Sequence, residues 1–445
     1  MPTDRQLLPA VALGERRWIR CMAVLLLTTS LACFCNNVTR SGRLFDFRVI
    51  WVASGVWLNG GNPYDQAAVQ QHWSDVGGPT QSGSLTHLWS IVSPPTFVLV
   101  SPLAAFPPIA AQWLWTAFLL GCTFAIVRCA LIMAGVRAFS LDGCLLIAFA
   151  LALTPLHLAV FHGQPTVPAV AFGLWGWLEA RRNRPGMAGF LLGLAFCWKP
   201  HVAVAFLLHA AWRRQWRTLG IAAALTAVLT AVSVAWMYSG GHSDWLSLWQ
   251  SNLRAASSNG LPNDYAFANS LRWDMVCLHV PLYGFLQDRA IVDMVAPLVA
   301  GILLLPLFRS LRRDNPQPLL ELAILSTWCL LPVYHRWPDA SVVVVAVVWV
   351  ASCRPREDIE AWLPVASCLG LFLLPNGFIH DHARGCLRWI CSPEQATRLW
   401  RVWIEPLQTW YVLLLLAALG NALRVITRRT RDAACCATLT TMVKS

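Results

Sequence analysis

Charge is what this chain has least of. Only 13% of its 445 residues are Asp, Glu, Lys or Arg, against 57% hydrophobic, and the mean hydropathy is +0.53. A soluble globular domain carries about one quarter charged residues, so a soluble enzyme is excluded. Alternation of apolar and polar residues is also missing. AVLLLTT (residues 23–29) and VVVVAVVWV (residues 342–350) are apolar on every face, which excludes a transmembrane β-barrel. No internal repeat or low-complexity segment is evident. The fifteen cysteines show no zinc-ligand spacing and lie mostly in apolar runs, as at Cys122, Cys129, Cys144, Cys197 and Cys329, where a thiol packs as a small hydrophobe. Only Cys386 and Cys391 share an expected outer loop, and whether they pair is left open.

What is present is a series of apolar runs from Trp18 to Leu423, several of them reaching the roughly 20 residues that cross a hydrocarbon core. The expected fold is an all-α polytopic integral membrane protein of about 10–12 membrane segments. These lie near 18–36, 91–106, 109–134, 142–161, 165–180, 187–210, 218–238, 290–308, 317–334, 340–353, 361–378 and 403–423. The excess of 34 basic over 22 acidic residues sits in short breaks: Arg16, Arg17 and Arg20; Arg181, Arg182 and Arg184; Arg213, Arg214 and Arg217; Arg309, Arg312 and Arg313; Arg354 and Arg356; Arg428, Arg429 and Arg431. That placement orients a membrane chain and does not form a nucleic-acid groove, so no nucleic-acid partner is expected. With these clusters inside, residues 37–90 and 239–289 become the first and second outer loops of a single domain spanning 1–430, and 431–445 a cytoplasmic tail. Residues 91–106, with Pro94, Pro95 and Pro102, and residues 187–210, interrupted by Lys199 and Pro200, are expected to enter the membrane and turn back.

The first outer loop holds the strongest chemical signal. FDFRVIWVASGVWL, Phe45 to Leu58, reads as a helix ended by Gly60 and Gly61, lying at the outer interface with Asp46 as its only carboxylate. The positive end of a helix favours the ionised carboxylate, which beside a cavity can take the proton of an attacking sugar hydroxyl. On spacing alone the same position suits a plain N-terminal cap better.

Asp46 to Asp65, DFRVIWVASGVWLNGGNPYD, resembles the signature of the family-87 glycosyltransferases of the GT-C superfamily. Three further blocks follow in the family's order: SPPTFVLVSPLAAFPPIAAQWLW from Ser93, GQPTVPAVAF from Gly163 with the stretch ending in WKPHVAV at residue 204, and LLPVYHRWPD from Leu330. The last departs from the family's frequent Ser-Pro before the His, since Pro332, Val333 and Tyr334 precede His335. The resemblance implies a GT-C type helical bundle in the cytoplasmic membrane with its active site on the periplasmic side. It implies a polyprenyl-phosphate-linked sugar as donor, mannose first, and a lipid or glycan acceptor, usually with inversion and without a covalent intermediate. Asp46 matches the catalytic aspartate. No cofactor and no metal ligand are implied.

Lys199 is too costly to leave unpaired in lipid, so it reads either as a cation for the donor phosphate or as one half of a structural ion pair. His335 and Arg336 are candidates for the same phosphate. Gln164 and His162 flank Gly163 and could meet sugar hydroxyls, His162 reading also as part of a satisfied turn, and Arg48, with Arg43, brackets Asp46. A multi-pass transporter or flippase of a lipid-linked sugar is the alternative from another class. It expects two halves related by weak symmetry, which the sequence does not show. A non-catalytic assembly subunit is the third reading, and it expects the loss of Asp46.

Overall fold

A computed structural model of the chain describes residues 12–39, 44–77, 90–258, 260–310, 317–353, 359–374 and 376–444. Arg43, Arg312, Arg313, Arg354, Arg356 and residues 78–89 of the first outer loop lie outside the described residues. Regular structure among the described residues is helical, and the one strand-like feature is an isolated bridge between Met275 and Arg336. The helices are α1 (Ala12–Thr39), α2 (Phe45–Leu58), α3 (Gln66–Asp75), α4 (Pro95–Ala104), α5 (Pro108–Ala134), α6 (Leu141–Ala152), α7 (Thr154–His162), α8 (Thr166–Arg181), α9 (Pro185–Trp198) and α10 (Pro200–Trp212). They continue as α11 (Trp216–Ser239), α12 (Trp245–Ala256), α13 (His279–Leu286), α14 (Arg289–Ser310), α15 (Pro318–Trp328), α16 (Val344–Ser352), α17 (Ile359–Gly370), α18 (Asn376–Ile390), α19 (Pro393–Leu399) and α20 (Leu407–Lys444). The chain is an all-α polytopic membrane protein.

Three described helices are by themselves long and apolar enough to cross a membrane: α5, α11 and residues 407–430 of α20. The expected span at 142–161 is a bent pair, α6 and α7, meeting at 54°. Several other expected spans are apolar helices of 10 to 16 residues. At 1.5 Å per residue a 14-residue helix is only about 21 Å long, so these elements reach part of the way through a bilayer. Their broken backbones are tolerable because protein surrounds them. The run 342–350 shows this: Val342 to Trp349 are at most 5% exposed, so the most lipid-like stretch of the sequence is protein core.

The segment 187–210 turns back at Lys199, as expected. Gly189 of α9 lies against Thr218 and Ile221 of α11 and Gly193 against Ala222 and Leu225, so these two helices run parallel. Gly173 of α8 meets Phe206 of α10, and Trp177 bonds His209 one turn further along both, so α8 and α10 are parallel too. Gly176 of α8 meets Ala188 and Leu192, which makes α9 the antiparallel partner. α9 and α10 therefore form a hairpin with Lys199 at its tip. Glycine is needed on α9 because a Cβ at Gly189 would stand 2.6 Å from the Thr218 carbonyl oxygen. Such small-residue faces let membrane helices approach closely.

At the end of the bundle opposite that tip, the arginines of the basic breaks partly serve buried acids. Arg213 pairs with Glu321 at 2.7 Å and Arg182 with Glu179 at 2.7 Å, and both carboxylates are buried. α2 occupies the expected residues, yet Trp51 and Trp57 are 4% and 6% exposed, so these tryptophans pack inside the protein and do not stand at a lipid–water boundary. Trp51 Nε1 donates to Leu103 O at 3.0 Å, seating α2 on α4. Asp65 caps α3 through Ala67 N–H, and Tyr64 is buried with its hydroxyl on Val92 O. Trp245 and Trp249 of the second outer loop pack on Tyr64, and Asn252 donates to Tyr64 O and Ser90 O. These residues tie α12 to the chain around Tyr64 and Ser90. Cys386 and Cys391 are both free thiols.

Candidate functional site

Five segments converge at the hairpin tip. α2 starts abruptly because Leu44, buried and in the left-handed region at φ 64, donates its N–H to Phe161 O at 2.7 Å at the end of α7. Leu44 holds the cap position, so Asp46 lies inside the first turn and is not the N-cap. Its carboxylate Oδ2 instead accepts the Gln164 side-chain N–H. Gly163 makes this approach possible. It closes α7 at φ +72, and a Cβ there would come within 2.9 Å of Phe47 Cβ and 3.2 Å of Leu44 Cα. Trp115 steadies the crossing by stacking on Phe47 and donating to Gly163 O at 3.1 Å.

A Gly163→Ala variant is therefore expected to lose about 1–2 kcal/mol from the left-handed backbone alone, and more from the contact with α2. Thermal unfolding measures the first effect. A fall in turnover beyond that explained by unfolding measures the displacement of Asp46 from Gln164.

Gln164 also accepts from Lys199 Nζ at 2.6 Å through Oε1. The partners decide the amide's orientation, since an ammonium requires the carbonyl and a carboxylate requires the N–H. Lys199 has two further acceptors, Thr166 Oγ1 at 2.9 Å and Asp339 Oδ1 at 2.5 Å. Its ammonium is 13% exposed and Asp339 1%. A buried, hydrogen-bonded pair of this kind matches the structural-pair reading of Lys199 while leaving the cation at the site.

Asp339 is the hub. Thr166 Oγ1 donates to its Oδ1 at 2.5 Å, and Arg336 N–H donates to Oδ2 at 3.2 Å. His335 Nδ1 lies 3.3 Å and His201 Nε2 3.4 Å from the same Oδ2. His335 is fully buried, and its Nε2 faces Cys329 O at 3.0 Å. It therefore reaches the site through Asp339. Arg336 is a strut: Nε donates to the Tyr334 hydroxyl at 2.5 Å, Nη2 to Pro262 O at 2.5 Å and Nη1 to Asp274 Oδ2 at 3.2 Å.

That strut, with the Met275–Arg336 bridge and Val276 N–H on His335 O at 2.8 Å, draws Asp274 from the second outer loop into the cluster. Burial raises the Asp274 carboxyl above its ordinary pKa; Arg336 and His162 oppose that, and the charge of Asp46 adds to it. Asp274 and Asp46 thus feel each other. His162 stands within electrostatic reach of the same carboxyl, at the half-buried C-terminus of α7. Arg48 is half-buried on the first turn of α2. The loop behind Asp274 is pinned by Arg272, which is fully buried, donates to Tyr265 O at 2.6 Å and pairs with Glu405.

Five contributors escaped the sequence reading as site residues: Thr166, His201, Asp274, Tyr334 and Asp339. A usable signal existed for two of them. Thr166 lies two residues after Gln164 in GQPT, and Asp339 follows His335 by four. Asp274 offered none, because only the fold brings residues 274 and 336 together.

Geometrically, the cluster joins a partly exposed carboxylate, a second carboxylate, an ammonium and two imidazoles at one end of an apolar bundle. The profile of glycosyltransferase family 87 matches residues 92–334, more than half of the chain. The matched stretch contains His162, Gln164, Lys199 and Asp274, begins after Asp46 and stops one residue before His335. Neither the curated proteins nor the solved structures yield a match. On the family match and the helical apolar architecture around it, the chain is a membrane glycosyltransferase belonging to glycosyltransferase family 87.

Proposed function

We propose that the protein transfers a hexose, mannose first, from a polyprenyl-phosphate donor to a hydroxyl of a lipid or glycan acceptor at the outer face of the cytoplasmic membrane. The observation that carries this reading is the side-chain grip on Asp46. Its carboxylate is held by Gln164 and not consumed as a helix cap, which leaves Oδ1 to meet an acceptor hydroxyl. In a single displacement, Asp46 takes the hydroxyl proton as the acceptor oxygen bonds to the anomeric carbon. The bond from that carbon to the phosphate oxygen breaks, and the lipid phosphate leaves with the electron pair, inverting the centre. A phosphate is a good leaving group, so it requires charge stabilisation more than a general acid.

Lys199 is the cation for that charge. All three of its acceptors, Gln164, Thr166 and Asp339, belong to the protein, so the donor phosphate enters by displacing one of them, Gln164 being half-buried where Thr166 and Asp339 are buried. In this reading Arg336 and His335 act from behind, holding Asp274 and Asp339. His162, Asp274 and Arg48 line the approach to Asp46. An apolar groove of about 420 Å³ between α5, α8 and α9 offers a seat for the donor's prenyl chain. Its lining residue Phe118 touches Trp198, the neighbour of Lys199. The basic breaks at the opposite end of α8 to α11 favour an outward-facing site.

The test is a donor screen. Purified protein with total membrane lipid extract is offered radiolabelled sugars on polyprenyl phosphate and, separately, on nucleotides. Label is expected in product from the lipid donor alone, with mannose ahead of glucose. Transfer from a nucleotide sugar in the absence of any lipid carrier would contradict the proposal.

A further inference from the structure

The side chains around Asp339 contain a feature that sugar transfer does not use. His335 Nε2 faces the Cys329 carbonyl oxygen at 3.0 Å, and a carbonyl can only accept, so that nitrogen carries a hydrogen. In the neutral ring the remaining nitrogen, Nδ1, then presents a lone pair. It points at Asp339 Oδ2 from 3.3 Å, in a residue that is fully buried, with no hydrogen-bond partner. His201 Nε2 approaches the same oxygen at 3.4 Å and likewise has no hydrogen-bond partner. The two rings stand edge to face with centroids 4.8 Å apart. A nitrogen lone pair aimed at a carboxylate oxygen is repelled unless something positive, a proton or a metal ion, lies between them, and His201 Nε2 brings a second donor atom to the same oxygen.

We propose that His201, His335 and Asp339 form a binding site for a divalent first-row transition metal of the zinc type. The three donor atoms lie within 4.8 Å of one another. Ligand atoms at the corners of a tetrahedron with bonds of about 2.0–2.1 Å stand about 3.3–3.4 Å apart, the separation of each imidazole nitrogen from Oδ2 here. The third edge, between the two imidazole nitrogens, lies within 4.8 Å and closes by movement of the His201 side chain, which is 34% exposed. The His335 to Cys329 carbonyl bond is the outer-shell contact that fixes the tautomer of a metal-binding histidine. Two nitrogens and one oxygen suit zinc better than magnesium or calcium, which take oxygen ligands. Lys199 holds the other carboxylate oxygen and Arg336 N–H approaches Oδ2 at 3.2 Å, so the ion occupies the histidine side of Asp339. Protons on both rings would bring the same charge into the cluster without the two coordinate bonds to nitrogen. Three protein ligands leave a fourth position open toward the exposed side of His201, where a water or a phosphate oxygen can bind.

The readout is metal content, so the outcome does not depend on the role of Asp46. Full-length protein in detergent is stripped with chelator, dialysed against Zn²⁺ alone, and assayed for bound zinc beside His201→Ala and His335→Gln. One zinc ion per chain is expected in the wild type, with affinity weakened at least about 10–100-fold in each variant. Co²⁺ in place of zinc is expected to give the absorption spectrum of a tetrahedral site with nitrogen ligands. Should His335→Gln fail to fold, His201→Ala and the Co²⁺ spectrum carry the comparison. Absence of stoichiometric zinc in the wild type, or equal retention by wild type and His201→Ala, would overturn the proposal.

Discussion

Replacing Asp46 by Asn is expected to lower turnover by about two to four orders of magnitude while leaving the protein as stable as the wild type. Asparagine keeps the shape and an oxygen that still accepts the Gln164 N–H, so the crossing of α2 over Gly163 survives. What disappears is the ability to take a proton. Donor binding measured separately is expected to be unchanged within a few-fold, because the site proposed for the phosphate is Lys199. A variant with near wild-type turnover would remove Asp46 from the chemistry, and a variant that unfolds would make it a structural residue.

The second large effect is expected at Lys199. Lys199→Met strands Asp339, which is 1% exposed, with a charge whose principal partner is gone. Breaking a buried pair on one side costs about 3–5 kcal/mol, whereas removing both members is often neutral. Lys199→Met is therefore expected to be strongly destabilised, and Lys199→Met combined with Asp339→Asn to regain most of that loss. Turnover is expected to stay low in the double variant, since stability returns without the cation proposed to meet the leaving phosphate. Thermal unfolding and turnover of the three variants separate the two roles. Recovery of turnover together with stability would reduce Lys199 to half of a structural pair.

Parts of this arrangement were legible in the residues. α2 runs from Phe45 to Leu58 as the apolar run and the Gly60–Gly61 stop required, because local propensity, helix-end glycines and burial all agree there. The break at Lys199–Pro200 was equally plain, since proline removes a helical N–H and a lysine inside an apolar run demands a partner. The identity of that partner was not plain: Asp339 lies 140 residues away and its pairing is a property of how α10 packs beside α15 and the turn after it.

Hydropathy alone misplaced environments more than elements. A valine run surrounded by lipid and one surrounded by other helices have the same composition, so the burial of Val342 to Trp349 inside protein could not be read from it. Tryptophans pose the same ambiguity. Trp51, Trp57, Trp245 and Trp249 suit a lipid–water boundary or a sugar ring, yet they spend their indoles on packing and on carbonyls such as Leu103 O and Ile91 O. Arg336 shows the limit for charged residues. A guanidinium beside a histidine resembles a phosphate clamp, but its three nitrogens are committed to Tyr334, Pro262 and Asp274.

The most direct measurement is a cryo-electron-microscopy map of the wild-type protein with a slowly reacting polyprenyl-phosphate sugar bound. The phosphate is expected on Lys199, the anomeric carbon between it and Asp46, and the prenyl chain along Phe118 and Trp175. A donor seated at the opposite, arginine-rich end of α8 to α11, with Asp46 facing no part of it, would contradict the account.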